Sequence, residues 1–337
     1  MSDYYARQRL LPQIGPEGQQ RIGAAQVLVV GCGALGTVQA ELLARAGVGR
    51  LIIADRDRVD ITNLQRQLLY SQRDADERTL KALAAAARLR QINPAITIEP
   101  RVTSVGPRNI RSLLAGCDLA MDGTDNVETR YVLNDACVKA GVPWVYGGAV
   151  GTDGLLMPVM PGLGPCLRCA FPEPPATGTL ATCDTAGVLA STTATVAALQ
   201  VAAGLRLLLG DTDNAGRLTS IDPWKARFHT ISVPRDPDCP CCGQRKFPFL
   251  RSSGVATATT LCGEEAVQVT PAVPIAIGLP ELAARLQGAG TVDLGDDHIV
   301  FATDEHELLV FADGTVLVNG TRDLDLARTL VARFVGS

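Results

Sequence analysis

The sequence predicts a doubly wound α/β fold, a mostly parallel sheet covered by helices on both faces, followed by a small α+β domain. Three observations lead there. First, "AQVLVVGCGALG" joins an apolar run, Val27–Val30, to Gly31-x-Gly33-x-x-Gly36 and then to small and apolar residues at helical spacing. That is strand, tight turn and helix, the opening of a nucleotide-type βαβ unit. Second, strand-like and helix-like segments alternate from there to "PWVYGGAV", as a parallel sheet with crossover helices requires. Third, a break at "RSSGVATATT" is followed by short extended runs and two helical ones. The break divides the chain into a nucleotide-binding domain over residues 1–250 and a smaller domain over 251–337.

In order, the first helix stops at Gly47 and Gly49, and "RLIIAD" makes the second strand, ending at Asp55. A helix over Thr79–Ile92 closes at Asn93-Pro94 before the strand "ITIEPR". A helix around Asn109–Leu114 leads into "DLAMD", and another over Glu128–Ala140 leads into "PWVYGGAV". From Leu163 to Asp184 the text is rich in Pro, Gly and Thr without periodicity, so a long functional loop is expected. The Gly187–Gly210 stretch reads as a buried helix, and "LTSIDPW" and "RFHTISV" as extended chain. In the tail, "AVQVTP", "DHIVFAT", "ELLVFAD" and "TVLVNG" are strand-like, Asp313-Gly314 marks a hairpin, and Pro280–Leu286 and Asp323–Phe334 are helical.

Composition limits the function. Hydrophobic residues make up 47% and charged ones 20%, the balance of a soluble globular protein. Lys and Arg number 31 against 35 Asp and Glu, a net charge of −4 with no basic run, which argues against a nucleic-acid partner held through its phosphates. "MSDYYARQRL" lacks the apolar core of a secretory signal, and Gly187–Gly210 is interrupted by Gln200, Arg206 and several Thr, so no membrane span is expected. A cytoplasmic location follows as an expectation, and there ten cysteines are thiols or metal ligands, not disulfides. Three histidines, His229, His298 and His306, leave Asp, Arg, Lys and Cys to carry chemistry.

The glycine turn leaves backbone N–H groups and a helix N-terminus facing a phosphate, and Asp55, nineteen residues after Gly36, is placed for a ribose hydroxyl. Alone this suits NAD, FAD or ATP. The next stretch, "DRDRVDITNLQRQLLY", adds Asp57, Asn63, Gln65, Arg66 and Gln67 at the sheet edge where ligands of open α/β folds bind. Lys81 follows, and "MDGTDN" sets Asp122 and Asp125 at a later strand end, where Mg²⁺ on a triphosphate is held. Hydride transfer has no use for Arg66 here, whereas phosphoryl or nucleotidyl transfer does.

Cys166-x-x-Cys169 and Cys239-x-x-Cys242 supply four thiolates in two pairs, the tetrahedral set of a structural Zn²⁺ that pins the long loop to a distant segment. Cys241 is the spare of "CPCC". Cys183, in "ATCDTAG", stands just before a helix, where the dipole favours thiolate. Cys32, Cys117, Cys137 and Cys262 read as core thiols.

The set Gly31-x-Gly33-x-x-Gly36, Asp55-x-Asp57, "TNLQRQ", Lys81 and "GTDN" resembles the ThiF–MoeB–HesA adenylyltransferases, bacterial relatives of ubiquitin-activating enzymes. The resemblance runs from Tyr4 to Leu250, and "LCGEEAVQV" and "FADGTVLVNGT" are similar to the C-terminal part of longer ThiF-type proteins. It implies ATP-dependent adenylation of a protein C-terminal carboxylate. Gly31, Gly33, Ala34 and Gly36 would cradle phosphates, Asp55 would hold ribose, and Asp57, Asn63 and Gln67 would line the nucleotide. Arg66, Lys81 and Arg7, the last reaching across a homodimer, would offset phosphate charge, with Asp125 on Mg²⁺ and Asn126 beside the nucleotide. Cys183 matches a loop cysteine that forms a thioester or acyl-persulfide in some members and is dispensable in others. The implied acceptor is a small β-grasp sulfur carrier ending in Gly-Gly, of the ThiS type used in thiamine biosynthesis. A molybdopterin-type carrier or a peptide-antibiotic precursor would use the same ATP site. An NAD-dependent oxidoreductase leaves "NLQRQ" and "TDN" without purpose, and an inactive carrier-binding scaffold would not need every charged residue of the site. Ala34 stands where some relatives have Gly, and Leu80 where the family commonly has Pro.

Overall fold

The run read as the first strand, Gln26–Val30 (β1), lies inside an eight-stranded sheet in the computed structural model, which describes residues 4–175, 183–251, 256–260, 265–273, 275 and 277–336. The chain forms two units, residues 1–101 with 105–250, and residues 251–337 with the short 102–104 segment.

In the first unit the strands after β1 are β2 (Arg50–Asp55), β3 (Thr97–Val102), β4 (Leu119–Asp122), β5 (Trp144–Val150), β6 (Asp153–Val159), β7 (Arg217–Asp222) and β8 (Arg227–Ser232). They lie in the order β3-β2-β1-β4-β5-β6-β7-β8. β1 runs parallel to β2 and β4, and β4 parallel to β5, while β5 to β8 continue as antiparallel neighbours. The apolar run of β1 is continuous because both its faces are covered. Val27 and Val29 join Leu51 and Ile53 under the helices Gly36–Ala46, Lys81–Ile92 and Ala190–Leu208, through Ala40, Leu43, Ala85, Leu89 and Val201. Leu28 and Val30 join Ile52 and Ala54 on the opposite face, against Ile110 and Leu133 of the helices Ile110–Leu113 and Val127–Ala140. The alternation is the two-residue period of the strand, and it makes the fold doubly wound. The chain leaves β1 for β2 and β3 on one side, then returns to β4 and β5 on the other. A crevice therefore opens between the C-terminal ends of β1 and β4, at the topological switch point.

The second unit is a six-stranded antiparallel sheet of β9 (Thr257–Thr260), β10 (Ala266–Thr270), β11 (Thr291–Leu294), β12 (His298–Ala302), β13 (Glu307–Phe311) and β14 (Val316–Asn319), ordered β11-β12-β13-β14-β10-β9. Helices Leu279–Leu286 and Leu324–Phe334 close its core of Val267, Leu282, Ile299, Phe301, Val310 and Leu330. β13 and β14 form the hairpin expected at Asp313-Gly314, with Gly314 in the left-handed region at φ +84°. No helix among the described residues is long and apolar enough to cross a membrane.

Candidate active site

β1 ends at Val30 and the chain reverses on Gly31, whose φ of +83° suits glycine. A Cβ on Gly36 would lie 1.9 Å from the Gly31 carbonyl oxygen, so the third glycine lets the helix start pass directly over the first. Leu35, at the N-cap, offers no side-chain acceptor, and the Gly36–Ala46 helix presents its first N–H groups to the crevice. Tyr70, buried, donates to the Cys32 carbonyl at 2.7 Å and supports the turn from beneath. The Cys32 thiol beside it is pushed up to about 12, by burial and then by Asp55, and is inert.

Asp55 closes β2. Its two carboxylate oxygens accept from the Cys32 N–H at 2.6 Å and the Asp57 N–H at 2.7 Å, which fixes the acid against the glycine turn. Lys81 is buried, with Nζ 3.2 Å from Asp57 Oδ2 and its own N–H donating to the Asp57 carbonyl at 2.8 Å. Leu80 holds φ at −62°, the value a proline would impose, so the Lys81–Ile92 helix starts as it would behind proline. Burial opposes the charge on Lys81, yet Asp57, Asp55 and then Asp125 hold it above the ordinary lysine range. Burial likewise opposes ionisation of Asp57, but Lys81 and Arg56 outweigh it and hold that acid below the usual carboxylate range. Asp55 goes the other way, raised to about 6 by burial and by the charge on Asp57. The folded protein therefore keeps a proton on Asp55 between about pH 4 and pH 6 that the unfolded chain has lost. Stability should fall as pH rises through that window, by on the order of 2 kcal/mol for this one acid, and Asp55→Asn should lessen the fall, leaving the part due to Asp122, which burial also raises to about 6. Urea unfolding of the ligand-free protein across that range checks the sign; an unchanged slope in the variant would show that Asp55 is not the group.

The other expected residues divide clearly. Gln67 is buried beside Gly33, and its Oε1 has no hydrogen-bond partner, an acceptor waiting for a donor in the cradle. Arg66 is half-buried, its Nη1 donating to the Thr62 carbonyl at 2.9 Å. Asn63 Oδ1 accepts from the Asp60 N–H at 3.1 Å and shapes the loop itself. Ala34 is half-buried within the turn. Asp122 is fully buried and engaged by backbone N–H groups and Arg130, whereas Asp125, three residues on, is exposed toward the crevice that Lys81 lines. Asn126 Oδ1 accepts from the Thr129 N–H at 3.0 Å, so this side chain caps the Val127–Ala140 helix. The loop from Gly123 touches the glycine turn backbone to backbone: a Cβ on Gly31 would meet the Gly123 carbonyl oxygen at 2.9 Å.

Arg7 is not brought to this crevice within its own chain. It is exposed on the Ala6–Arg9 helix, which Gln8 ties to the Ala46 carbonyl at 2.8 Å and Tyr5 to Asn93 at 2.8 Å. Those anchors lie at the C-terminal end of the Gly36–Ala46 helix, about 15 Å along its axis from the glycine turn. Arg130 and Tyr70, both built into the site, went unread in the sequence.

The four expected ligand cysteines converge. The sulfur atoms of Cys166, Cys169, Cys239 and Cys242 all lie within 4.8 Å of one another, with Cys166–Cys239 at 3.6 Å and Cys169–Cys242 at 3.4 Å. A tetrahedral Zn–thiolate site needs sulfurs about 3.8 Å apart, so the set fits that ion. The first pair is not on irregular chain: Cys166 is the N-cap of the short Leu167–Ala170 helix. Cys241 is fully buried and accepts from Asn134 Nδ2 at 3.2 Å, while Asn134 Oδ1 accepts from the Leu167 N–H at 3.0 Å. The spare cysteine thus ties the knot to the Val127–Ala140 helix. Cys32, Cys117 and Cys137 are buried as expected. Cys183 opens a short helix, Cys183–Ala186, but its side chain, like Cys262 and residues 176–182 of the long loop, lies outside the described residues.

The family model described as ThiF family matches residues 5–241. The chain belongs to the ThiF family. Its likeness extends beyond that span to the whole chain: the sulfur carrier protein ThiS adenylyltransferase of Bacillus subtilis is 39% identical over 340 residues, covering 100% of both chains. The sulfur carrier protein adenylyltransferase of Thermus thermophilus is 42% identical over 247 residues, 72% of this chain and 90% of that one. Among solved structures, E. coli MccB with ATP shares the fold at TM-score 0.62 and 22% identity, over 72% of this chain and 75% of that one.

Proposed function

We propose that this ThiF-family chain adenylates the C-terminal carboxylate of a small β-grasp sulfur carrier of the ThiS type. One observation carries the reading: the glycine turn, the Asp55–Asp57–Lys81 cluster and the Asp125 loop meet at one crevice of a chain similar end to end to a ThiS adenylyltransferase. The carrier carboxylate oxygen attacks the α-phosphorus of ATP in line, and the bond to the bridging oxygen breaks as pyrophosphate leaves with the electron pair. Position and positive charge are what the protein must supply. The turn from Gly31 through Gly33 and Ala34 to Gly36 cradles phosphate oxygens with N–H groups, and Asp55 accepts from the ribose. Arg66 and Lys81 offset charge on the phosphates. Asp125 would hold Mg²⁺, which screens the triphosphate. The anchoring of the Ala6–Arg9 helix away from its own glycine turn supports a homodimer in which the partner subunit's Arg7 completes the site. Zn²⁺ on the four cysteines would be structural, since four protein ligands leave no open position. The edge strand β8, every residue of it exposed and carrying Phe228 and Ile231 next to exposed Trp224, suits a partner that is itself a β-sheet protein. A cytoplasmic setting accords with described cysteines that form no disulfide.

Exchange of labelled pyrophosphate into ATP, dependent on added carrier, tests the reading. ThiS-type carrier should support it; exchange only with a molybdopterin-type carrier or a peptide precursor would reassign the acceptor, and none with any of them would end the proposal. Cys183 separates activation from sulfur transfer, because a thiolate can attack the activated carbonyl only after the adenylate exists. Cys183→Ser is expected to leave exchange within about twofold of wild type, as adenylation asks only for position and charge. It should also remove any reductant-sensitive mass adduct between enzyme and carrier. If the wild type forms no adduct with any sulfur donor, Cys183 has no covalent role.

A further inference from the structure

Asp122 and Arg130 form a buried ion pair under the Gly123–Asn126 loop. Asp122 has no exposure; its Oδ1 accepts from the Thr124 N–H at 3.1 Å, its Oδ2 from the Gly147 N–H at 3.3 Å, and Arg130 Nε lies 3.2 Å from Oδ2. Arg130, one turn into the Val127–Ala140 helix, donates from Nη2 to the Thr124 carbonyl at 2.8 Å, with its guanidinium 5.5 Å from the Tyr146 ring centroid. Thr124 is therefore gripped at its N–H by one member of the pair and at its carbonyl by the other. Its hydroxyl completes the clamp, accepting from the Asn126 N–H at 2.9 Å and donating to the Asn126 carbonyl at 3.1 Å. Asp125 is the residue between Thr124 and Asn126, and its charge is felt at both Lys81 and Arg130.

Stability does not explain the arrangement, because a buried pair rarely outperforms apolar residues of the same size. What it achieves is direction: a four-residue loop with an exposed acid at its tip is held from below at consecutive backbone groups.

We propose that Asp122 and Arg130 are positioning residues of the adenylation site, fixing Thr124 so that the Asp125 carboxylate meets the metal of the bound nucleotide. This rests on the adenylation reading above. Arg130→Met alone strands a buried carboxylate and will weaken the fold, so the deciding variant is the double change Asp122→Asn with Arg130→Met, which removes both charges. Its melting temperature should recover from that of Arg130→Met toward wild type. The Mg²⁺ concentration that half-saturates ATP binding, followed by calorimetry, should nevertheless stay raised by about tenfold or more, as for lost support of a metal ligand. Carrier-dependent exchange should stay down by about a hundredfold, the effect of a misplacement near 1 Å. Arg130→Lys, which can face Asp122 or Thr124 but not both, should fall between. If exchange and Mg²⁺ dependence recover together with the melting temperature, the pair is merely structural and the proposal is wrong. A wild type inert to every carrier would defeat the adenylation reading instead, and the Mg²⁺ dependence of ATP binding would still decide the role of the pair.

Discussion

Asp125→Ala is expected to abolish carrier-dependent pyrophosphate exchange, by at least about 10³-fold, while the protein keeps its melting temperature within a degree or two. The two halves of that expectation come from the same geometry. Asp125 is exposed, and the loop around it is held by Thr124, Asp122, Arg130 and Asn126 through bonds that do not involve the Asp125 side chain. Removing an exposed carboxylate of this kind changes stability by about 0.5 kcal/mol or less. The loss of exchange can then be read as chemistry. Lys81→Ala would also disable the site but would not be interpretable in the same way. Lys81 is the cation that lets buried Asp55 and half-buried Asp57 coexist, so its removal leaves their charge uncompensated. If Asp125→Ala kept near wild-type exchange, the metal would be held elsewhere. Binding of NADH in place of ATP would overturn the whole assignment.

The parts of the molecule legible in the sequence are those where one physical constraint dominates. Val27–Val30 has to be apolar on both faces, so it announces a buried parallel strand, and the glycine turn behind it follows from close backbone approach. The meeting of the cysteine pairs was legible because two Cys-x-x-Cys spacings are what a four-thiolate metal site would require, and the four sulfurs do converge. β6 was not read: it begins two residues after β5, across Gly151 at φ +61°, and Pro158 inside it argues against a strand. The Gly-Thr turn was the signal, a two-residue hairpin loop that opens with glycine. Its consequence is that the sheet continues beyond β5 as antiparallel ribbon, out to the exposed edge at β8. Arg130 had no comparable signal. An Arg four residues into a helix normally faces water, and only the tertiary meeting with buried Asp122 and the Thr124 carbonyl sets it under the Gly123–Asn126 loop. Asn126 is a related case: its motif, "TDN", marks the site, but the side chain does local work as a helix cap.

Cys166→Ser and Cys241→Ser should give opposite results, though the chemical change is the same and Cys241 lies against the same cluster. Cys166 is one of four sulfurs brought within 4.8 Å, and its loss leaves three ligands for an ion that needs four. Metal content should fall from one zinc per chain toward none. The stability lost should be about 4 kcal/mol, because the metal closes a loop between cysteines 73 residues apart and the unfolded chain recovers that entropy. Cys242→Ser should behave alike from the other end of the loop. Cys241 lies outside the i,i+3 pairing; it accepts a hydrogen bond from Asn134 Nδ2 at 3.2 Å and also hydrogen-bonds with Asp135 and Cys166. A serine hydroxyl can accept from Asn134 and donate to Asp135, so zinc content should stay at one per chain and the melting temperature should hold. Metal analysis and thermal unfolding of the three variants decide it. Loss of zinc from Cys241→Ser would make Cys241 a ligand and one of the four a bystander, and metal-free wild type of undiminished stability would remove the structural role altogether. Because Asn134 also fixes the backbone after Cys166, and sits on the helix that Asn126 caps, a zinc-free protein should further bind ATP more weakly, as the support beneath the Asp125 loop loosens.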